Sequence, residues 1–320
     1  MTIREFTDEE IDAQVRGLES LQSGSLAAAA LLGCGQRTIP PLRSFLLNGL
    51  PRGIYQPRQL AVETLAQLGA KDVLIEYLRD PAHLPDAVVR MGEDAVRSTA
   101  ARQLARWQTE DVFRCLTNIA MDHLLPGVVE SLGKFRRPET MPYFLWALGD
   151  GVCRPYAEEA IRNLGEMARP GLVEAATAPD PSCEEETPSS LQRRRWALRI
   201  LADLELREDE WERLSHSLNE SDPDIVITVA RIALQDAPAP ERRNAVRRMM
   251  EMLPAANWFL RTEARTALAE HFDLTRQPIE EEIAQRTKVD RRQQALDTVL
   301  RLLVNLREQA LEAAHACQQR

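Results

Sequence analysis

Residues 96–104 read Val96-Arg97-Ser98-Thr99-Ala100-Ala101-Arg102-Gln103-Leu104, and the pattern they open recurs along the chain. Ala100, Leu104 and Trp107 are spaced four and three apart, which places them on one stripe of a helix. The same triplet returns as Ala61, Leu65, Leu68; as Val128, Leu132, Phe135; as Ala157, Ile161, Leu164; and as Ala197, Leu201, Leu204. Ile225, Val229, Ile232 and Ala264, Leu268, His271 are weaker copies. Successive copies start 39, 28, 29, 40, 28 and 39 residues apart, enough for two short helices and two turns each.

A second helical segment precedes each triplet. Ile39-Pro40-Pro41-Leu42 leads into Phe45 and Leu46, Asp72-Val73-Leu74 into Tyr77 and Leu78, and Val112-Phe113 into Leu116 and Ile119. Met141-Pro142-Tyr143-Phe144 and Arg169-Pro170-Gly171-Leu172 open two more. Proline is tolerated there because the N–H groups of the first turn have no helical partner. Gly69, Gly133, Gly149 and Gly165 fit helix ends, and Asp80-Pro81, Asp180-Pro181 and Asp222-Pro223 mark turns inside hairpins. Aromatic residues are 5% of the 320 and the long apolar segments are Ala/Leu-rich, which argues against a sheet.

An early proline in a first helix, an Asp-Pro turn and a second helix of the form V-R-x-x-A-A-x-x-L together resemble the HEAT and HEAT-like repeats. The clearest matches are residues 96–104 and Asp222-Pro223-Asp224-Ile225-Val226, and the resemblance covers about residues 38 to 272. It implies an all-α protein, an α-α superhelix of about seven hairpins. It further implies that second helices line a concave face and first helices a convex one.

The ends depart from the repeat. Thr7-Asp8-Glu9-Glu10 reads as a capping box opening a helix of about 14 residues, and Ser25 to Leu32 as a short Ala-rich helix. From Pro278 a long helix runs nearly to Arg320, with Val289, Leu296, Leu303, Ala310 and Cys317 seven apart and Val299, Leu306 and Ala313 between. This weak seam suits a cap better than an intermolecular coiled coil and favours a monomer. The expected organisation is an N-terminal cap over 1–37, repeats over 38–273 and a C-terminal helix over 274–320.

The net charge is −9, against non-specific nucleic-acid binding. Charge is sorted by helix layer. Second helices carry +2 over 94–107, +2 over 126–137 and +3 over 191–204, whereas first helices carry −2 over 109–122, −2 over 138–150 and −5 over 205–222. An Arg-bearing inner surface is expected, with Arg97, Arg102, Arg106, Arg193, Arg195 and Arg199 as partner contacts. Arg102, Arg195 and Arg199 point away from the stripe and are expected to contribute little to stability.

No chemistry-bearing motif is present. The five cysteines are odd in number with no C-x-x-C spacing, no two histidines lie at i, i+4, and neither a phosphate loop nor a nucleophile elbow occurs. The polar N-terminus is not a signal peptide, and no apolar run spans a membrane. The expectation is a cytoplasmic, non-enzymatic scaffold or adaptor with no cofactor or metal. Its concave face binds a protein partner through an acidic segment. The alternative is a nucleic-acid binder or an alkylpurine DNA glycosylase, whose HEAT-like members bear Trp, Arg and Asp on the concave face. The bilin lyases share the repeat only.

Overall fold

The computed structural model describes residues 6–49, 54–79, 84–179, 185–204, 206–289 and 304–309. Among the described residues there is helix and no strand. The contacts divide the chain into two compact units, Met1–Ala168 and Arg169–Arg320.

In the first unit, α1 (Asp8–Gly17) and α2 (Gly24–Cys34) form a hairpin, followed by α3 (Ile39–Asn48) with α4 (Gln56–Gln67), and α5 (Lys71–Arg79) with α6 (Ala87–Leu104). The pairs α7 (Glu110–Ala120) with α8 (Pro126–Phe135) and α9 (Met141–Leu148) with α10 (Arg154–Leu164) complete it. Second helices α2, α4, α6, α8 and α10 pack in succession, and α1, α3, α5 and α7 form the other layer. In the second unit, α11 (Arg169–Thr177) pairs with α12 (Pro188–Leu201), and α13 (Glu208–Ser215) with α14 (Pro223–Asp236). There α14 packs on α12, on α15 (Ala239–Met252) and on α16 (Trp258–Glu270), while α17 (Phe272–Val289) covers α15 and α16. This is the all-α, solenoid-like stacking of hairpins read from the sequence.

The recurring triplets explain the stacking. Ala61, Leu65, Ala100, Leu104, Val128, Leu132, Ala157, Ile161, Ala197, Leu201, Ile225, Val229, Ala264 and Leu268 are all sealed from solvent. The third member is often only half-buried. Leu68 and His271 cap their helices, while Trp107 and Leu204 fall past the helix end, where the stripe no longer faces a neighbour.

Several helix ends differ from their expected form. Gly69 and Gly165 do take positive φ, 77° and 58°. Gly133 instead lies inside α8, and Arg136 adopts the left-handed turn at φ 52°. A Cβ on Gly133 would stand 2.8 Å from Ala160 Cβ, so its role is close approach to α10. The capping box at Thr7 is present, but α1 has 10 residues. Pro278 lies inside α17 and does not open it. Asp222 accepts from the N–H groups of Asp224 and Ile225, so it is the N-cap of α14 with Pro223 in the first turn. Asp80-Pro81 and Asp180-Pro181 lie outside the described residues, as does most of the C-terminal heptad array. Leu306, one member of that array, is 1% exposed.

Arginines close several hairpins. Arg58, three residues before Ala61, donates from Nη2 to the Leu46 carbonyl at 2.8 Å, near the end of α3. Arg194, three before Ala197, donates to the Ala176 carbonyl at 3.3 Å, near the end of α11. Arg261, three before Ala264, donates to the Leu253 and Pro254 carbonyls, both at 3.1 Å, past the end of α15. C-terminal carbonyls that no helical N–H can reach are thereby satisfied.

Leu104 and Leu201 are fully buried between layers. Truncating either to alanine is expected to cost about 2–5 kcal/mol. Chemical denaturation measures it, and a loss below about 0.5 kcal/mol would place the stripe on the wrong face.

Candidate interaction surface

The charged residues of the second helices are organised by pairing between hairpins. On α12, Arg195 and Arg199 are one turn apart and share a face. Arg195 grips Asp222 through Nε and Nη2, and Arg199 reaches both oxygens of Asp224 from Nη2 at 3.1 and 3.0 Å. Asp222 and Asp224 open α14, where the helix dipole also favours negative charge. One layer on, Arg231 of α14 meets Glu263 of α16 at 2.7 Å. Burial opposes ionisation of Asp222, but Arg195 and the two capping N–H groups outweigh it and hold its carboxyl below the ordinary range.

In the first unit Arg102 of α6 donates to Glu130 of α8 at 2.7 Å, and Lys134 binds the other Glu130 oxygen at 3.0 Å. The Arg102 guanidinium lies 5.7 Å from the centroid of the Tyr156 ring. A recess of about 300 Å³ beside them is lined by Glu130, Lys134, Tyr156, Glu159 and Asn163.

The six arginines expected to contact a partner therefore occupy three different environments. Arg102, Arg195 and Arg199 are half-buried and paired with carboxylates of the following hairpin. Arg97 and Arg193 are buried, 4% and 8% exposed, and Arg193 donates to the Ala178 carbonyl. Arg106 is exposed, with a 3.4 Å contact to Gln103. The per-helix count of +3 over 191–204 does not describe the surface, because grouping 205–222 as one first helix places Asp222 on the wrong element. The structure puts it at the start of α14, against Arg195. Reversing Arg195 or Arg199 would set like charges face to face, so the expected indifference of stability to such changes is corrected.

Trp196 and Phe259 belong to different repeats in the sequence, and only the fold relates them, through Arg199. The Arg199 guanidinium stacks between two rings, 4.8 Å from the Trp196 centroid and 5.1 Å from that of Phe259. Phe259 is 46% exposed and its neighbour Trp258, in the first turn of α16, is 78% exposed. Three arginines, three carboxylates and an open aromatic pair thus share the second-helix face of this unit. In the other unit an apolar cleft of about 340 Å³ is lined by Met121, Leu132, Pro142, Tyr143 and Trp146.

No group of three His, Cys, Asp or Glu among the described residues is placed to hold a metal ion. Burial pushes the Cys115 thiol up to about 11 and the Cys153 thiol up to about 12, so neither is a thiolate near neutrality. No described helix is long and apolar enough to cross a membrane.

No protein-family model matches the chain, and no curated protein matches it. Among solved structures, human deoxyhypusine hydroxylase in complex with glycerol aligns at 16% identity and a TM-score of 0.31, over 94% of this chain and 96% of that one. A likeness of that order says nothing about the chemistry of this chain.

Asp222 both caps α14 and pairs with Arg195, so Asp222→Ala is expected to cost about 1 kcal/mol or more. Its depressed folded pKa means the ionic part of that stability is present above the ordinary carboxylate range, about pH 4, and is lost as pH falls through the lower folded value. Denaturation of wild type and variant across acid pH checks this: the gap between them is expected to narrow below about pH 4.

Proposed function

We propose that this chain is a non-enzymatic helical-repeat module that holds a protein partner on the second-helix face of residues 169–289. The observation that carries the reading is the exposed pair Trp258 and Phe259 beside the stacked Trp196 and Arg199. Large aromatics dominate binding energy where a polar rim shields them from water. Here the rim is the set of internally paired charges Arg195–Asp222, Arg199–Asp224 and Arg231–Glu263. An acidic partner would have to displace these carboxylates from their arginines, so the aromatic pair, not free positive charge, is the better-supported contact. A cytoplasmic location belongs to the same proposal.

A second reading has one observation in its favour. Trp196, Arg199 and Asp224 converge on this face, and Trp, Arg and Asp are the residue types of the HEAT-like alkylpurine DNA glycosylases. Release of free methylated base from alkylated duplex DNA, compared with Asp224→Asn, tests it. The adaptor reading expects no release from either.

The adaptor reading is tested by affinity capture from native lysate with wild type, the double variant Trp258→Ala/Phe259→Ala, and Glu212→Arg on the exposed side of α13 as control. The double variant is expected to lose a defined set of proteins that the control retains, with a small drop in melting temperature from the lost Phe259–Arg199 contact, while Trp258→Ala alone, at a largely exposed residue, leaves the melting temperature nearly unchanged. Capture through aromatic contact persists when salt is raised, whereas capture through an acidic segment weakens. Retention of the same proteins by the double variant would place the interface elsewhere.

A further inference from the structure

Arg97, on α6, is 4% exposed, yet among the described residues its Nε and Nη2 have no acceptor. It stands three residues before Ala100, the register held by Arg58, Arg194 and Arg261 in other copies of the repeat. Those three all find acceptors. Arg58 binds Glu93 and the Leu46 carbonyl, and Arg194 binds Glu186, Glu220 and the Ala176 carbonyl. Arg261 binds two carbonyls. The idle edge of Arg97 is a productive one elsewhere in the molecule. Through Nε and Nη2, Arg43 takes both oxygens of Glu76, and Arg195 takes both of Asp222.

Among the described residues, the buried charges beside Arg97 leave one positive charge uncompensated. The buried cluster holds two guanidinium groups, Arg58 and Arg97, against the single carboxylate of Glu93. Tyr77 donates to Glu93 at 2.6 Å, and burial keeps its hydroxyl protonated, with Arg97 acting in the opposite direction. The Cys115 thiol, also within reach of the Arg97 charge, is kept neutral by burial. Asp111, which acts on the same thiol, is held by Lys71 at 2.7 Å, and Arg79 nearby is a further cation. An uncompensated buried cation is strongly unfavourable, so an anion at this edge would be firmly held.

We infer that the Nε–Nη2 edge of Arg97 is a receptor for a small monocarboxylate. A planar carboxylate matches the spacing of the two N–H groups, and a single negative charge closes the count that Arg58, Arg97 and Glu93 leave open. A phosphate dianion would overshoot it. The burial of Arg97 restricts the ligand to a small free anion.

The test uses the full chain in chloride buffer, titrated with formate at constant ionic strength. Melting temperature and the arginine Nε–H resonances are followed together. The expected result is a saturable rise in melting temperature in wild type. One Nε–H resonance, absent from Arg97→Met, should shift with the same half-saturation, and the variant should give no thermal response. If Arg97→Met does not fold, Arg97→Lys keeps the cation without the bidentate edge and makes the same comparison. An equal thermal rise in the variant, no shifting resonance, or a response to phosphate as strong as that to formate would each overturn the inference.

Discussion

Everything in this fold hangs on how closely neighbouring second helices approach. The residue that sets the distance is small at most layers: Ala61, Ala100, Ala157, Ala197 and Ala264 all have no exposed surface. At α8 and α10 the approach is closer still, with glycine at position 133 facing Ala160. Once the helices are at that distance, an aliphatic one turn on must be buried, and Leu65, Leu104, Leu132, Ile161, Leu201 and Leu268 are. The side chains flanking the stripe are then held at salt-bridge range of the next hairpin. Close packing therefore dictates the electrostatics of the surface.

Those electrostatics have a direction. Arg43 reaches Glu76, Arg58 reaches Glu93, Lys71 reaches Asp111 and Arg102 reaches Glu130. In the second unit Arg169 reaches Glu210, Arg194 reaches Glu220, Arg195 and Arg199 reach Asp222 and Asp224, and Arg231 reaches Glu263. In each case the cation precedes and the carboxylate belongs to the following hairpin or the turn leading into its second helix. Arg37 with Asp8 and Arg137 with Glu110 run the other way. Exposed members of this set contribute little to stability singly. Arg58–Glu93 and Arg169–Glu210 are buried, and breaking either would strand a charge.

The hairpin architecture is legible in the sequence because a 4-3 spacing of apolar residues survives any local irregularity, and the copies at 100, 128, 157 and 197 state it plainly. The surface is less so. Helical periodicity says that Arg102, Arg195 and Arg199 leave the core stripe, and they do. It cannot say which carboxylate of another hairpin waits beside them, because partners 25 to 28 residues away are a matter of stacking, not of one helix. Asp222 escapes sequence reasoning for a definable reason. An Asp-Pro step marks a turn and a helix start equally well, and only the N–H groups of Asp224 and Ile225 settle which. The meeting of Trp196, Arg199 and Phe259 has no signature along the chain at all. Periodicity lets Arg97 back the core, but that its buried edge has no acceptor among the described residues shows only once its surroundings are placed.

The forward reach of the cations makes the hairpins interchangeable parts. Where the pairing runs forward, a hairpin presents carboxylates to the hairpin before it and cations to the hairpin after it, as α5–α6 does with Glu76 and Glu93 on one side and Lys71 and Arg102 on the other. Excision or duplication between equivalent points of such hairpins keeps those junctions matched. A cut elsewhere sets like charges against one another. Length is free to vary where the pairs do not reach. α6 has 18 residues and α8 has 10, yet Arg102 on one still meets Glu130 on the other. A hairpin set beside the wrong neighbour at one of these junctions would leave its cation without a carboxylate, so the pairs act as a check on the order of the repeats.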